Sequence, residues 1–557
     1  MPRLRLFQQD HRGRAHTTLS NPWFRSPVVA QMAAMALGIA SMGQLAASEM
    51  PTASTPSAKG ARVSNGLRVE VAVRGLSYPT SIEVVGNDLY IAEGGVGPGD
   101  DSAKPRILKV TPDGRSEIVV TEGLRAPVND LLWHDGTLYI AHRGTISRLT
   151  ASHQIENLVT GLPSDGDHQT NQLTVGPDGW LYVGQGTVTN SGVVGYDNEI
   201  QGWLGKHPDL HDQPAHDVHL VGQTFFGPNP AKPTEPMTSQ TGAFQPWGTH
   251  ATANGTIPGA IKASGTILRC HLDGSGLEVY AWGLRNPYGL VWSSDGALYC
   301  SENGCDARGV RPIANDPEDL YIIKSGAWYG WPDFGSGVAF TDPRFKVANG
   351  PPIEFLMSEH PPVEKPLMTF PKHASVTKLD VSPGGHGGVW GERGDIVMAL
   401  FGHMAPITGE LRHHGGHRVV LIHPATRHTT TMLGSADDTH SEHGGQSGGP
   451  PPPDADGDAL NQPIEVENAP DRQMDHDGNG HGDHGHEASH EAENRGPRRP
   501  IDVRFTPAGD ALYVVDFGVL TIDSMLKPMS IPHSGVIWRL QPADAARVGP
   551  MDCVIAP

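Results

Sequence analysis

Residues 283–333 read GLRNPYGLVWSSDGALYCSENGCDARGVRPIANDPEDLYIIKSGAWYGWPD. Arg285-Asn286-Pro287 opens a short apolar run. An Asp295-Gly296 turn follows, then Ala297-Leu298-Tyr299-Cys300, ending at Glu302-Asn303-Gly304. After a loop comes Leu320-Tyr321-Ile322-Ile323-Lys324. β-Branched and aromatic residues cut by Asp-Gly and Pro signals are the pattern of antiparallel hairpins. Functional side chains on such a scaffold sit at strand ends and tight turns. Arg285, Asn286 and the 302–305 segment occupy those places.

Outward from this unit the same pattern recurs. Second strands read from Leu89, Leu138, Leu181, Leu298, Ile396 and Leu512. Third strands are RILKV at 106, TISRL at 145, TILRC at 266, LYIIK at 320, RVVLI at 418 and VIWRL at 536. Six units that each leave a face unburied predict an all-β chain, a six-bladed β-propeller. The stretch Leu67–Val73 is expected to pair with the last blade and close the ring. Two long insertions break the spacing, at about 187–262 and 434–499. High Gly (69) and Pro (48) with 6% aromatics agree with short strands and many turns.

The organisation predicted is residues 1–48 as a signal peptide or N-terminal anchor, 49–65 as a linker and 66–557 as the propeller. A basic leader, an apolar run over 26–46 and small residues after it describe a secretory signal, implying a periplasmic or secreted protein. Any membrane contact would come from that segment left uncleaved. Net charge is −20, and residues 437–493 contribute −14 of it. No basic footprint for nucleic acid exists. The second insertion is poor in apolar residues and rich in His and Asp, so disorder is expected. It carries two imperfect EF-hand-like fragments, and its His tract reads as a spacer or a weak metal binder. Four histidines in the first insertion, His207, His211, His216 and His219, show no metal spacing. Cys270, Cys300, Cys305 and Cys553 form neither CxxC nor CxxCH, so neither a zinc ribbon nor covalent haem is encoded. Cys300 and Cys305 are open to two readings, a small disulfide or free thiols, buried or partly exposed.

In a propeller, loops at one end of the blades converge on the axis. His168, Gln185, Arg285, Asn286 and Glu302 are all placed to meet there. A His beside a carboxylate suits general-base work, and an Arg stabilises charge on oxygen. The competing reading has His168 capping a turn and Arg285 in a structural ion pair. Trp328–Asp333 reads as a packed blade corner or, alternatively, a sugar-stacking surface.

The segments DHQTNQLTVGPDGWLYVGQG (167–186), YAWGLRNPYGLVW (280–292), LYCSENG (298–304), DPEDLYIIKSGAWYGWPD (316–333) and PIDVRFTPAGDALYVVDFG (500–518) resemble the glucose/sorbosone dehydrogenase family. The resemblance implies an enzyme, a soluble sugar dehydrogenase using pyrroloquinoline quinone (PQQ) and Ca2+ on a six-bladed propeller. It implies oxidation of an aldose or sorbosone-like sugar, with electrons passing to a separate acceptor. His168 would be the general base, with Asp167 orienting it or touching the cofactor, and Arg285 would stabilise the reduced quinone. Gln185, Asn286, Lys378, Arg412 and Arg418 would contact the cofactor, Arg418 being the first choice of the basic three. Backbone carbonyls of Gly304 and Cys305 would hold calcium, although the family's glucose enzymes often carry Gly-Pro at this turn. Alternatives are a calcium-dependent lactonase on the same architecture and a non-catalytic binding propeller.

Overall fold

The computed structural model describes residues 56–95, 103–200, 202–228, 239–251, 254–348, 350–404, 416–436, 496–522, 528–545 and 553–555. The 1–48 segment and nearly all of the second insertion lie outside the described residues.

Six antiparallel sheets form the blades. Their inner strands are Pro79–Val85, Val128–His134, Thr170–Val175, Pro287–Trp292, Val376–Val381 and Pro500–Phe505. The expected second and third strands follow in every blade, so the six-bladed propeller read from the repeat is the observed fold. Leu67–Leu76 pairs with Gly535–Pro542, from Leu67↔Pro542 to Leu76↔Gly535, and closes the ring as expected. Ala61–Val63, placed in the linker by sequence, adds instead to the outer edge of blade five against His428–Ser435. Buried aliphatic residues fill the spaces between neighbouring blades; Trp390 and Trp538 share one such layer with Val397 and Leu512.

All six inner strands slip register near their first residue: at 79/81, 128/130, 170/173, 287/289, 376/379 and 500/502. A bulge frees backbone N–H groups, and buried N–H groups need acceptors. Polar side chains from other blades supply them. Ser81 Oγ accepts from Leu131 N at 3.1 Å, and Asp130 Oδ2 from Leu173 N at 2.8 Å. Gln172 Oε1 accepts from Leu290 N at 2.9 Å, and Asp502 Oδ2 from Ile82 N at 3.0 Å. The axis is therefore a polar plug that laces the blades together.

Below this ring lie Glu83, Arg504 and Asp380, with Arg504 Nε 3.5 Å from Glu83. Burial pushes Glu83 up to about 8; Arg504 opposes this, and Asp130, Asp380 and Asp502 add to it. A carboxyl whose pKa rises on folding stabilises the fold below its unfolded value and loses that contribution as pH climbs to the folded value. Glu83→Gln should therefore gain on the natural chain by about 1.4 kcal/mol per pH unit between roughly pH 5 and 8. Urea unfolding across that range checks this; parallel pH profiles would refute it.

Candidate active site

The site is built from the ends of strands at one mouth of the channel. The backbone of Asp167 and His168 donates to Val188 O (3.1 Å) and Thr187 O (3.0 Å), and Thr187 N donates to Arg285 O (2.8 Å). This short ladder joins the His168 loop to the head of blade four. Gly186 is required in it, since a Cβ there would lie 2.4 Å from His168 Cβ and 2.9 Å from Asn286 Oδ1.

His168 Nδ1 lies 2.9 Å from the Thr187 carbonyl oxygen and 3.2 Å from its hydroxyl. A carbonyl only accepts, so Nδ1 carries the hydrogen and Nε2 is left as a basic lone pair. Burial, with Arg285 and then Arg308 adding positive charge, holds the imidazole well below its ordinary value, so it is neutral at pH 7.

Arg285 donates to Asn190 O (3.0 Å), Asn190 Oδ1 (2.9 Å), Asn303 O (3.4 Å) and Asp306 Oδ2 (3.0 Å). Both the ion pair and the convergence on His168 are present, so the two sequence readings of Arg285 were not exclusive. Glu302 fixes the turn that presents it, accepting at Oε1 from the backbone N–H of Arg285 and of Asn286. Desolvation pushes the Glu302 carboxyl up to about 8 against those two donors and Arg285. Asn286 Nδ2 donates to Asn303 Oδ1 (2.8 Å), and its Oδ1 accepts from Asn171 (2.9 Å).

The other residues expected at the site sit in defined surroundings. The Asp167 side chain pairs with Arg308 (2.8 Å) and accepts from Asn198 Nδ2 (3.1 Å), while Thr187 hydrogen-bonds the imidazole. Gln185 is fully buried and spends its amide on Pro163 O, Gly186 O and Thr170 Oγ1, so it braces the loop. Lys378 is 0% exposed inside the polar plug, with Asp130 at 2.8 Å, Thr80 O at 2.9 Å and Asp502 at 3.3 Å. Three neighbours occupy its three N–H groups. Arg418 begins the third strand of blade five opposite Leu400, two strands out from the axis. Arg412 lies outside the described residues. Cys300 and Cys305 are buried free thiols, so of the two cysteine readings the structure takes the second. Trp328 and Trp331 are buried in a core with Phe340 and Met357, as a packed corner requires.

Sequence reasoning missed Asn190, Asp306, Arg308 and Arg499. Arg499 heads the inner strand of blade six and donates to His403 O (2.9 Å), its guanidinium 5.0 Å from the Phe401 ring centre. It stands where Asn286 stands in blade four, directly before the proline that opens the inner strand, a position the repeat alignment marks. Arg308 sits in an irregular loop where no periodicity points to it.

Among the described residues no group of three or more His, Cys, Asp or Glu is arranged to hold a metal ion. The Gly304 and Cys305 carbonyls accept no hydrogen bond from the described residues. A Cβ at Gly304 would come 2.3 Å from Pro317 O, so that turn is specific to glycine. Two free backbone oxygens beside Asn303 are suitable hard ligands for calcium. The residues therefore fit the implied ion.

A curated relative, quinoprotein glucose dehydrogenase B of Acinetobacter calcoaceticus, is 27% identical over 188 residues, covering 32% of this chain and 28% of the relative. The chain thus matches less than a third of that protein's length. Among solved structures, the soluble aldose sugar dehydrogenase of Escherichia coli is 12% identical with a TM-score of 0.46, covering 86% of this chain and 99% of that one. The pyranose dehydrogenase PQQ domain of Coprinopsis cinerea is 13% identical with a TM-score of 0.48, covering 88% and 99%. The fold itself rests on the strand pairing above rather than on these likenesses. Residues 261–400, which contain the RNP and YGWP segments, match the family model described as Glucose / Sorbosone dehydrogenase, so the family resemblance read from the sequence is shown.

Proposed function

We propose that this chain is an exported quinoprotein that oxidises an aldose or sorbosone-like sugar. The observation that carries the reading is His168: Nδ1–H is held by the Thr187 carbonyl, which leaves the Nε2 lone pair free of that bond, and burial with Arg285 and Arg308 keeps the ring neutral. Pyrroloquinoline quinone with calcium supplies a two-electron acceptor for hydride when bound. Gly304 and Cys305 would hold the calcium through their carbonyls. Arg285 and Asn286 would bind the quinone edge, and Arg499 replaces Lys378 as the nominee for a cofactor carboxylate. His168 Nε2 takes the proton of the sugar hydroxyl, and Arg285 holds positive charge where an oxygen gains electron density. Electrons leave to a separate acceptor, because no haem attachment motif is encoded.

Reconstitution tests the reading. The purified chain is titrated with pyrroloquinoline quinone and calcium by absorbance, then assayed on aldoses and sorbosone with a dye acceptor. Saturable cofactor binding and dye reduction, lost on chelation and restored by calcium, are expected. Absence of cofactor binding would overturn the proposal.

A further inference from the structure

Arg308 lies at the centre of an ion cluster that the family resemblance does not mention. Its Nη2 is 2.8 Å from Asp167 Oδ2, its Nη1 2.8 Å from Asp197 Oδ2 and its Nε 3.2 Å from Asp306 Oδ2. Asp306 Oδ2 also pairs with Arg285 at 3.0 Å. These residues belong to four separate parts of the chain: the His168 loop, the short helix Tyr196–Ile200 of the first insertion, the loop after Glu302 and the head of blade four. Asn198 of that helix adds hydrogen bonds to Asp167 Oδ1 (3.1 Å) and Val188 O (3.2 Å). Asn190 Nδ2 donates to Asp306 O (2.8 Å) and Arg308 O (3.2 Å), tying the insertion to the Arg308 loop a second time.

We propose that Arg308 is a positioning residue of the His168 site: it clamps the loop carrying His168 to the first insertion and holds a fixed positive charge beside the imidazole. The proposal rests on the reading of His168 as the base. A guanidinium presents five donors in a plane and reaches the three carboxylates through three separate nitrogens, Nη2, Nη1 and Nε, a wider span than one ammonium covers. All three acids are largely buried with it, so the pairs are poorly screened. The first insertion thereby becomes part of the catalytic scaffold. The charged groups around His168 are Arg285 at the head of blade four, Arg308 and Asp306 in the loop after Glu302, Asp167 in its own loop and Asp197 in the insertion. His373, before blade five's inner strand, is 3.9 Å from Asp306. Of these, Arg285 and Arg308 disfavour the imidazolium.

The test reads His168 directly. Diethyl pyrocarbonate modifies only neutral imidazole, and peptide mass spectrometry follows His168 in the full chain without cofactor across pH 4–9. In the natural chain the modification rate should stay flat well below pH 6.5. In Arg308→Gln the midpoint should rise by about one pH unit or more; in Arg308→Lys it should rise less. Asp197→Asn keeps the positive charge but weakens the clamp, so His168 should be modified several-fold faster at pH 7 with no rise in midpoint. An unchanged midpoint in Arg308→Gln, or, if that variant does not fold, an unchanged rate in Asp197→Asn, overturns the proposal. If the midpoint moves while the acid limb of kcat/KM does not, Arg308 acts as proposed and His168 is not the base.

Discussion

His168→Ala is expected to bind cofactor normally and to lose about 10²–10⁴-fold in kcat, the usual contribution of a positioned general base. Among the described residues the side chain hydrogen-bonds only to Thr187, so removing it breaks contacts to one buried residue and no network of ion pairs. Folding should survive, and unfolding curves should show it. The pH dependence adds a second, independent check. Because burial and the two arginines hold the imidazole below its ordinary value, the base is present at pH 6.5 and is lost only further into acid. The natural enzyme's kcat/KM should therefore show no His168 limb near pH 6.5. An imidazole added to the His168→Ala protein should restore part of the rate. Full activity in the variant would remove His168 from the mechanism and favour a binding propeller.

The fold was legible because its signal repeats. One strand pair with an Asp-Gly turn is weak, but six in register, with Leu67–Val73 left over to close the ring, admit few architectures. The site was legible only where a side chain's type and its place at a strand end agreed, as for His168, Arg285 and Asn286. Residue type alone did not give a side chain's surroundings. Lys378 and Gln185 are polar residues near the right end of the right strands, yet both point into internal networks. For Lys378 the register slip at the start of its inner strand, between 376 and 379, moves the alternating pattern by one residue and is invisible in composition. Arg308 and Asn190 were missed for the opposite reason. They lie in irregular loops and reach partners more than a hundred residues away, as in the Asn190–Asp306 and Arg308–Asp197 contacts. No local pattern encodes a contact of that range.

Lys378→Ala should be the most destabilising single change, at roughly 3–5 kcal/mol, because it strips the partner from buried carboxylates. Asp130 and Asp502 both reach Ser81 Oγ at 3.0 Å and both face the Lys378 ammonium. Without that charge two carboxylates share one dry pocket, and each also accepts a bulge N–H that the blades need. Burial already raises the Asp130 carboxyl, with Lys378 the chief opposing influence. Its removal raises that carboxyl further. A folded value above the unfolded one gives stability at low pH that is lost as pH rises, so the variant's deficit should be smaller at pH 5 than at pH 8. Adding Asp130→Asn should recover part of the loss, a non-additivity expected only of groups in contact. Denaturant unfolding of the two variants at both pH values measures all of this. A Lys378→Ala protein of unchanged stability but weakened cofactor affinity would return this lysine to the ligand role that its sequence position suggests.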